Sequence, residues 1–80
     1  MLPDEHRHIL EFEAAHRRNV GGKEDLVRRA FGLSYPRYFQ LLNRIIDDPD
    51  AMVEYPQEVK RLLRARARDK AQRASRRFLR

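Results

Sequence analysis

The chain contains no cysteine, and this absence excludes two kinds of support that small proteins often use. Without thiols the protein can form neither a disulfide framework nor a thiolate metal site. Its 80 residues make one small domain with a marginal hydrophobic core, which has to be held by packing alone. The lack of cysteine also fits an intracellular compartment, and we expect a cytoplasmic protein.

Long hydrophobic runs are missing as well. No more than three apolar residues follow one another anywhere in the chain, whereas a membrane-spanning helix needs about 20. Near the N-terminus, Asp4 and Glu5 stand where a signal peptide would carry lysine and then an apolar segment. The sequence therefore predicts neither a membrane-spanning segment nor a secretion signal.

Side chains that carry catalysis or hold metals are few and badly spaced. His6 and His8 lie about 200° apart around a helix, so they cannot share a ligand face. Ser34 and Ser75 have no base at a plausible spacing, and the VGGK segment lacks the rest of a phosphate-binding loop. The acids between 47 and 50 are too few for a calcium loop. We expect no enzyme, no cofactor, no bound metal and no small-molecule substrate.

What the chain has in excess is positive charge, concentrated in one segment. The formal net charge is +6. Residues 1–54 hold eight Lys/Arg against ten Asp/Glu, while residues 55–80 hold ten Lys/Arg, eight of them arginine, against two acids. The planar guanidinium of arginine suits phosphates and base edges. This asymmetry indicates a polyanionic partner, with nucleic acid ahead of an anionic membrane surface; a solvated arginine-rich helix is the plainer alternative.

Apolar residues recur at helical spacing and never alternate, so the sequence predicts an all-α fold. We predict four helices, over about 3–18, 23–31, 35–48 and from 56 onward, with residues 49–55 as a connector. We also predict a domain over residues 1–65, followed by a basic extension over 66–80. The side chains expected to pack inside are Ile9, Leu10, Phe12, Ala15 and His16 on the first helix, Leu26, Val27, Ala30 and Phe31 on the second, Tyr38, Leu41, Leu42 and Ile45 on the third, and Val59, Leu62 and Leu63 on the fourth.

The stretch AFGLSYPRYFQLLNR, residues 30–44, interrupts a helix and restarts it. Gly32 suits a left-handed C-terminal position, Ser34 can accept a hydrogen bond from a free backbone N–H, and Pro36 is tolerated in a first turn. A turn that re-aims a second helix with a polar outer row is the geometry of a helix-turn-helix. We therefore predict a three-helix helix-turn-helix core over about 3–48, followed by a basic fourth helix.

The outer row of the third helix carries side chains that suit base edges, although any surface helix also needs polar residues outward. Arginine matches guanine O6 and N7, and glutamine or asparagine matches adenine N6 and N7. Such a helix reads the major groove of double-stranded DNA with its N-terminal half. The predicted base-reading residues are Arg37, Gln40, Asn43 and Arg44.

Phosphate contacts are expected from hydroxyl groups at the start of the third helix and from the basic segment. The residues concerned are Ser34, Tyr35, Tyr38, Lys60, Arg61, Arg64, Arg66, Arg68, Lys70, Arg73, Arg76 and Arg77. The basic segment either lies along the phosphates as a rigid helix or reaches into a minor groove as a flexible arm. A membrane-surface helix is disfavoured, because the apolar side beyond Arg64 is mostly alanine.

A resemblance to a known family rests on three segments, ILEFE, FGLSYPRYFQLLNRIIDDPDA and YPQEVKRLLRAR. They resemble a small family of helix-turn-helix proteins from actinobacteria and actinophages, catalogued as a domain of unknown function, which includes a mycobacterial nucleoid-associated protein. The resemblance covers roughly residues 4–70 and implies DNA binding in the nucleoid, as a transcription regulator or a DNA-compacting protein. Two departures are Phe39, where the family has a second tyrosine, and Arg28, where a helix-turn-helix usually has alanine.

A protein-interaction module is the competing interpretation. Small basic helical proteins also bind RNA polymerase, RNA or an acidic protein, and arginine-rich segments can become ordered on RNA. Tyr35, Phe39 and Ile46 form an apolar flank on the third helix, which either another helix covers or a weak homodimer buries. A protein partner predicts that this flank is exposed and that the C-terminal arginines are dispensable. DNA binding predicts the reverse.

Overall fold

The computed structural model describes residues 1–17 and 21–78, with side chains as far as Arg73. Over these residues the fold is all-α, as predicted, and no strand is present. Five helices follow one another, one more than expected. They are α1 (Asp4–Ala15), α2 (Lys23–Phe31), α3 (Tyr35–Ile46), α4 (Pro49–Glu54) and α5 (Pro56–Phe78).

The first helix begins and ends for local reasons. Pro3 precedes it with extended backbone, and Asp4 and Glu5 stand in the first turn, where negative charge favours the helix dipole. It ends at Ala15, because His16 leaves helical geometry while its backbone N–H still donates to the Phe12 carbonyl, at 2.9 Å. The predicted end at residue 18 was too late, and residues 18–20 lie outside the described part of the chain.

The turn between α2 and α3 forms as expected at its glycine but not at its serine. Gly32 has a φ of 67°, and its N–H donates to the Arg28 carbonyl at 2.8 Å. Ser34 precedes α3 with extended backbone, yet its side chain makes no capping hydrogen bond. Pro36 lies at the second helical position and has no N–H. One of the two backbone donors that a serine cap uses is therefore missing.

The segment predicted as a connector forms the short helix α4 instead. Asp48 caps this helix by accepting a hydrogen bond from the Asp50 N–H at 2.9 Å, and Pro49 fits the first helical position. The consecutive acids at the end of α3 thereby have separate structural roles. Asp48 starts α4, whereas Asp47 forms an ion pair with α5.

The core lies where all five helices meet, and it matches most of the predicted apolar faces. Three residues predicted to be buried, Ala15, Leu26 and Ala30, are exposed. Ala15 is exposed at the last position of α1. Leu26 and Ala30 are exposed because α2 packs mainly against α3, which covers only one narrow strip of α2. The buried apolar residues are Leu2, Ile9, Leu10, Val27, Tyr38, Leu42, Ile45, Ile46, Ala51, Val59 and Leu62.

The fifth helix continues well beyond the core. It spans 23 residues without a break, but among its described side chains, which end at Arg73, the last buried one is Leu62 and the last half-buried one is Ala65. The 12 residues from 67 to 78 extend about 18 Å further at about 1.5 Å per residue. No helix in the described part of the chain is long and apolar enough to cross a membrane.

Candidate nucleic-acid interface

Three polar side chains from three different helices meet inside the core. Glu13 on α1 is 4% exposed, Lys23 on α2 is 7% exposed and Tyr38 on α3 is fully buried. The Lys23 Nζ lies 3.1 Å from Glu13 Oε2 and 3.3 Å from Oε1, and the Tyr38 hydroxyl donates to Glu13. Burial, reinforced by the hydrogen bond to Glu13, raises the pKa of Tyr38 far above its ordinary value. This buried triad fixes α3 relative to α1 and α2.

The triad was missed in the sequence, although a signal was there. Glu13 stands four residues after Ile9, and Lys23 stands four residues before Val27, so each charge interrupts an apolar stripe. Charges of opposite sign on the buried faces of two helices indicate a pair, because an isolated buried charge is strongly unfavourable.

A second buried acid holds the base of α5. Glu58 is 6% exposed and accepts from Arg61, whose Nε lies 2.9 Å from Oε1. Arg61 also donates to the Glu13 carbonyl at 3.4 Å, and Arg17 Nη2 lies 3.8 Å from Glu58 Oε2. Arg61, one of the predicted phosphate contacts, thus uses its guanidinium to join α5 to α1.

The four predicted base-reading side chains are all exposed on α3. Arg37, Gln40 and Arg44 come together along one shallow groove of about 350 Å³, while Asn43 lies beside it on the same outer side. Among the described residues neither arginine has an ion-pair partner. The groove is lined by Glu5, Leu33, Arg37, Gln40, Leu41 and Arg44.

The hydroxyl groups near the start of α3 are placed differently from one another. Ser34 is exposed, and Tyr35 is half-buried, with a pKa raised mainly by that burial. Tyr38 has no exposed surface, and its hydroxyl is bonded to Glu13. The predicted phosphate contact of Tyr38 is therefore wrong, because Tyr38 belongs to the core.

The cations of α5 fall on two sides of the helix. Lys60, Arg64 and Arg68 recur every four residues and form an outer row that points away from the core. Arg64 and Arg68 line a surface groove of about 580 Å³ together with Arg61 and Ala67. On the other side of the helix, Lys70 lies about 120° and Arg73 about 180° from Arg64. The side chains of Arg76 and Arg77, also predicted at phosphates, lie outside the described side chains.

Arg66 shows which side of α5 faces α3. Its Nη2 lies 2.8 Å from Asp47 Oδ1 and its Nη1 3.2 Å from Oδ2, a two-point contact with the end of α3. The hydrogen bond to Arg66 lowers the pKa of Asp47, and the same contact raises that of Arg66. Arg66, another predicted phosphate contact, is thus paired within the fold, with 41% of its side chain exposed. Lys70 and Arg73 follow it one and two turns later, so they extend the α3 side beyond the core.

The apolar flank predicted on α3 is only partly present. Ile46 is buried at 5% exposure, so it belongs to the core, whereas Phe39 is 41% exposed. The Phe39 ring packs against Tyr35 with centroids 4.6 Å apart and meets the buried ring of Tyr38 at 5.7 Å. The exposed part of this flank is therefore a single aromatic edge.

Histidine contributes no assembled site to the described residues. His16 stacks on Phe12 at 4.2 Å, with its Nδ1 2.9 Å from the Phe12 carbonyl oxygen, and His6 has a buried Nδ1 without a partner there. Within the described part of the chain, no group of three or more metal-ligating side chains comes together.

The fold and this face define a small all-α protein with a basic terminal helix. Its sequence matches the family model DUF3263, described as a protein of unknown function, over residues 1–74. The chain belongs to the DUF3263 family. No curated protein and no solved structure matches it.

Proposed function

We propose that this protein binds double-stranded DNA as a helix-turn-helix protein, with α3 in the major groove. The observation that carries the proposal is the outer face of α3. There Arg37, Gln40 and Arg44 share one groove, and the two arginines have no ion pair among the described residues. These side-chain types suit guanine and adenine edges, and the left-handed Gly32 turn aims the helix that carries them.

The charge pattern of the rest of the molecule supports the same function. Most described acids of α1 and α4 are ion-paired within the fold; Arg7, for example, binds both Glu54, at 2.8 Å, and Asp4, at 2.9 Å. Apart from Arg29 on α2, the described Lys and Arg side chains without an ion pair lie on α3 and α5. Such a distribution attracts a polyanion to these two helices.

The phosphate contacts divide between the two sides of α5. Lys70 and Arg73 continue the side of Arg66, which faces α3, so they can hold phosphates of the duplex that α3 enters. Arg64 points about 160° and Lys60 about 120° away from Arg66, so we place both outside the contact with that duplex. Phosphate contacts then dominate the affinity, and sequence preference is modest. We further propose a nucleoid location, with a role in transcription regulation or DNA compaction.

A salt titration of paired variants tests this assignment. Fluorescence anisotropy with a labelled random-sequence duplex is measured for wild type, for K70A/R73A and for K60A/R64A, which carry the same charge change. Each neutralised phosphate contributes about −0.9 to the log–log salt slope, so K70A/R73A should lower its magnitude by about 1.8, and K60A/R64A should leave it nearly unchanged. Equal losses in both variants would contradict the assignment of sides.

A second measurement examines base reading. Arg37→Ala or Gln40→Ala should lose about 1–3 kcal/mol of discrimination at one base pair, while binding to random duplex changes less. Asn43→Ala is the comparison variant, because Asn43 does not line the groove, and its loss of discrimination between base pairs should be smaller. Absence of any DNA binding at low salt would reject the function. A pull-down for an acidic protein or RNA partner would then address the competing interpretation.

A further inference from the structure

One acidic side chain lies inside the otherwise cationic and neutral groove of α3. Glu5, in the first turn of α1, lines this groove together with Arg37, Gln40 and Arg44. It is exposed, and it has no hydrogen bond or ion pair among the described residues. Its neighbour Asp4 differs, because Arg7 binds Asp4 at 2.9 Å.

We propose that Glu5 is a specificity-determining residue of the DNA-binding face, an inference that rests on the proposed function. A carboxylate placed beside two guanidinium groups offsets part of their attraction for phosphates on every duplex alike. Non-specific binding is therefore weaker than the arginines alone would give. The penalty is general, because each DNA sequence has the same phosphate backbone.

The same carboxylate can be satisfied by one kind of base edge. Of the groups in the major groove, cytosine N4 and adenine N6 are donors, and Glu or Asp characteristically accepts from cytosine N4. A duplex that places cytosine opposite Glu5 regains, through this hydrogen bond, the binding affinity that other duplexes lose. Glu5 therefore acts through repulsion of the wrong sequences as well as attraction to the right one.

Because Glu5 lines the groove, we expect its charge to affect DNA affinity and base preference more than the charge of other exposed acids. Asp25 is also exposed, unpaired among the described residues and in the first turn of a helix, but it does not line the groove. Glu5→Gln and Asp25→Asn remove the same charge and the same favourable term with a helix dipole. Only Glu5→Gln changes the groove of α3.

The test uses the full chain and two DNA probes. The first probe is a labelled random-sequence duplex, for which Glu5→Gln should bind about fivefold tighter than Asp25→Asn, with a salt slope steeper by up to about 0.9. The second is a duplex pool with a randomised core, from which wild type and Glu5→Gln each select sites for sequencing. The wild-type sites should contain a cytosine position that the Glu5→Gln sites lack.

The two probes together distinguish the role of Glu5 from the DNA-binding function itself. Tighter random binding together with loss of the cytosine position supports the proposal. Equal behaviour of Glu5→Gln and Asp25→Asn, weaker binding by Glu5→Gln, or an unchanged selected site would overturn it while leaving DNA binding intact. If wild type binds neither probe at low salt, the DNA-binding function and the role of Glu5 both fail.

Discussion

Lys23→Met is the substitution for which the structure gives the largest expected effect on stability. Lys23 is the cation of the buried triad, and it lies within 3.3 Å of both carboxylate oxygens of Glu13. Methionine has a similar length and good helix propensity, so the variant removes the charge with little loss of packing. Glu13, 4% exposed, would keep the hydrogen bond from the Tyr38 hydroxyl but would lose the cation that balances its charge.

The expected loss of stability follows from comparing an intact buried ion pair with one that has lost its cation. Removing one partner of a buried ion pair costs about 3–5 kcal/mol, because the remaining charge stays away from water. At about 0.05–0.15 kcal/mol per residue, a domain of 80 residues has a free energy of unfolding of about 4–12 kcal/mol. Lys23→Met should therefore remove at least about a quarter of the free energy of unfolding, and all of it if the domain lies at the low end of that range.

Urea unfolding at neutral pH, followed by circular dichroism, measures this change. Lys60→Met is the matched control, because Lys60 is exposed and has no ion pair among the described residues, and it should shift the free energy by less than about 0.5 kcal/mol. Replacing the whole triad, as E13L/K23M/Y38F, should recover most of the loss, since no buried polar group is left unpaired. If Lys23→Met unfolds like Lys60→Met, the triad does not hold the three helices.

Two further predictions concern pH. The lowered pKa of Asp47 means that its contact with Arg66 stabilises the fold above its ordinary value of 3.8 and is lost as pH falls through the lower folded value. The urea midpoint should therefore fall less between about pH 5 and about pH 2 in Asp47→Asn than in wild type. Asp25→Asn is the control, and an equally reduced fall in that variant would contradict the prediction. The raised pKa of Tyr38 stabilises the fold below its ordinary value of 10.0, and this contribution is lost as pH rises. Tyrosinate absorbance should show that Tyr38 ionises only with unfolding, and Tyr38→Phe should remove that late step.

The helices were predictable because their signals are local. The bounds of α2 and the turn at Gly32 follow from acids at one end of a short apolar stripe and glycine at the other. The helix α4 was not predictable in the same way, because six residues are too few to show a period. Its formation depends on the Asp48 cap and on Ala51 packing into the core, which is a tertiary effect.

For the candidate interface, the sequence could predict only which side chains of a single helix point outward. A helical projection correctly placed Arg37 and Gln40 outside and Leu42 inside, because each position depends on one helix alone. It could not show that Glu5 would lie beside them, since α1 is distant in sequence. Nor could it show that Arg66 would pair with Asp47, because these two residues become neighbours only when α5 packs against the end of α3. The pair of Arg61 with Glu58, in contrast, is an i,i+3 contact within α5.

The uninterrupted course of α5 from the core into the extension has a consequence for how the sequence can change. Arg68, Lys70 and Arg73 take their direction from the helical phase set where Val59 and Leu62 are buried. Deleting one residue from the extension would rotate all later charges by about 100°, whereas deleting seven would return them to within about 20° of their original direction. On the proposed function, deletions or insertions before Lys70 should be tolerated only in steps that preserve helical phase, whereas positions that hold no phosphate can change more freely.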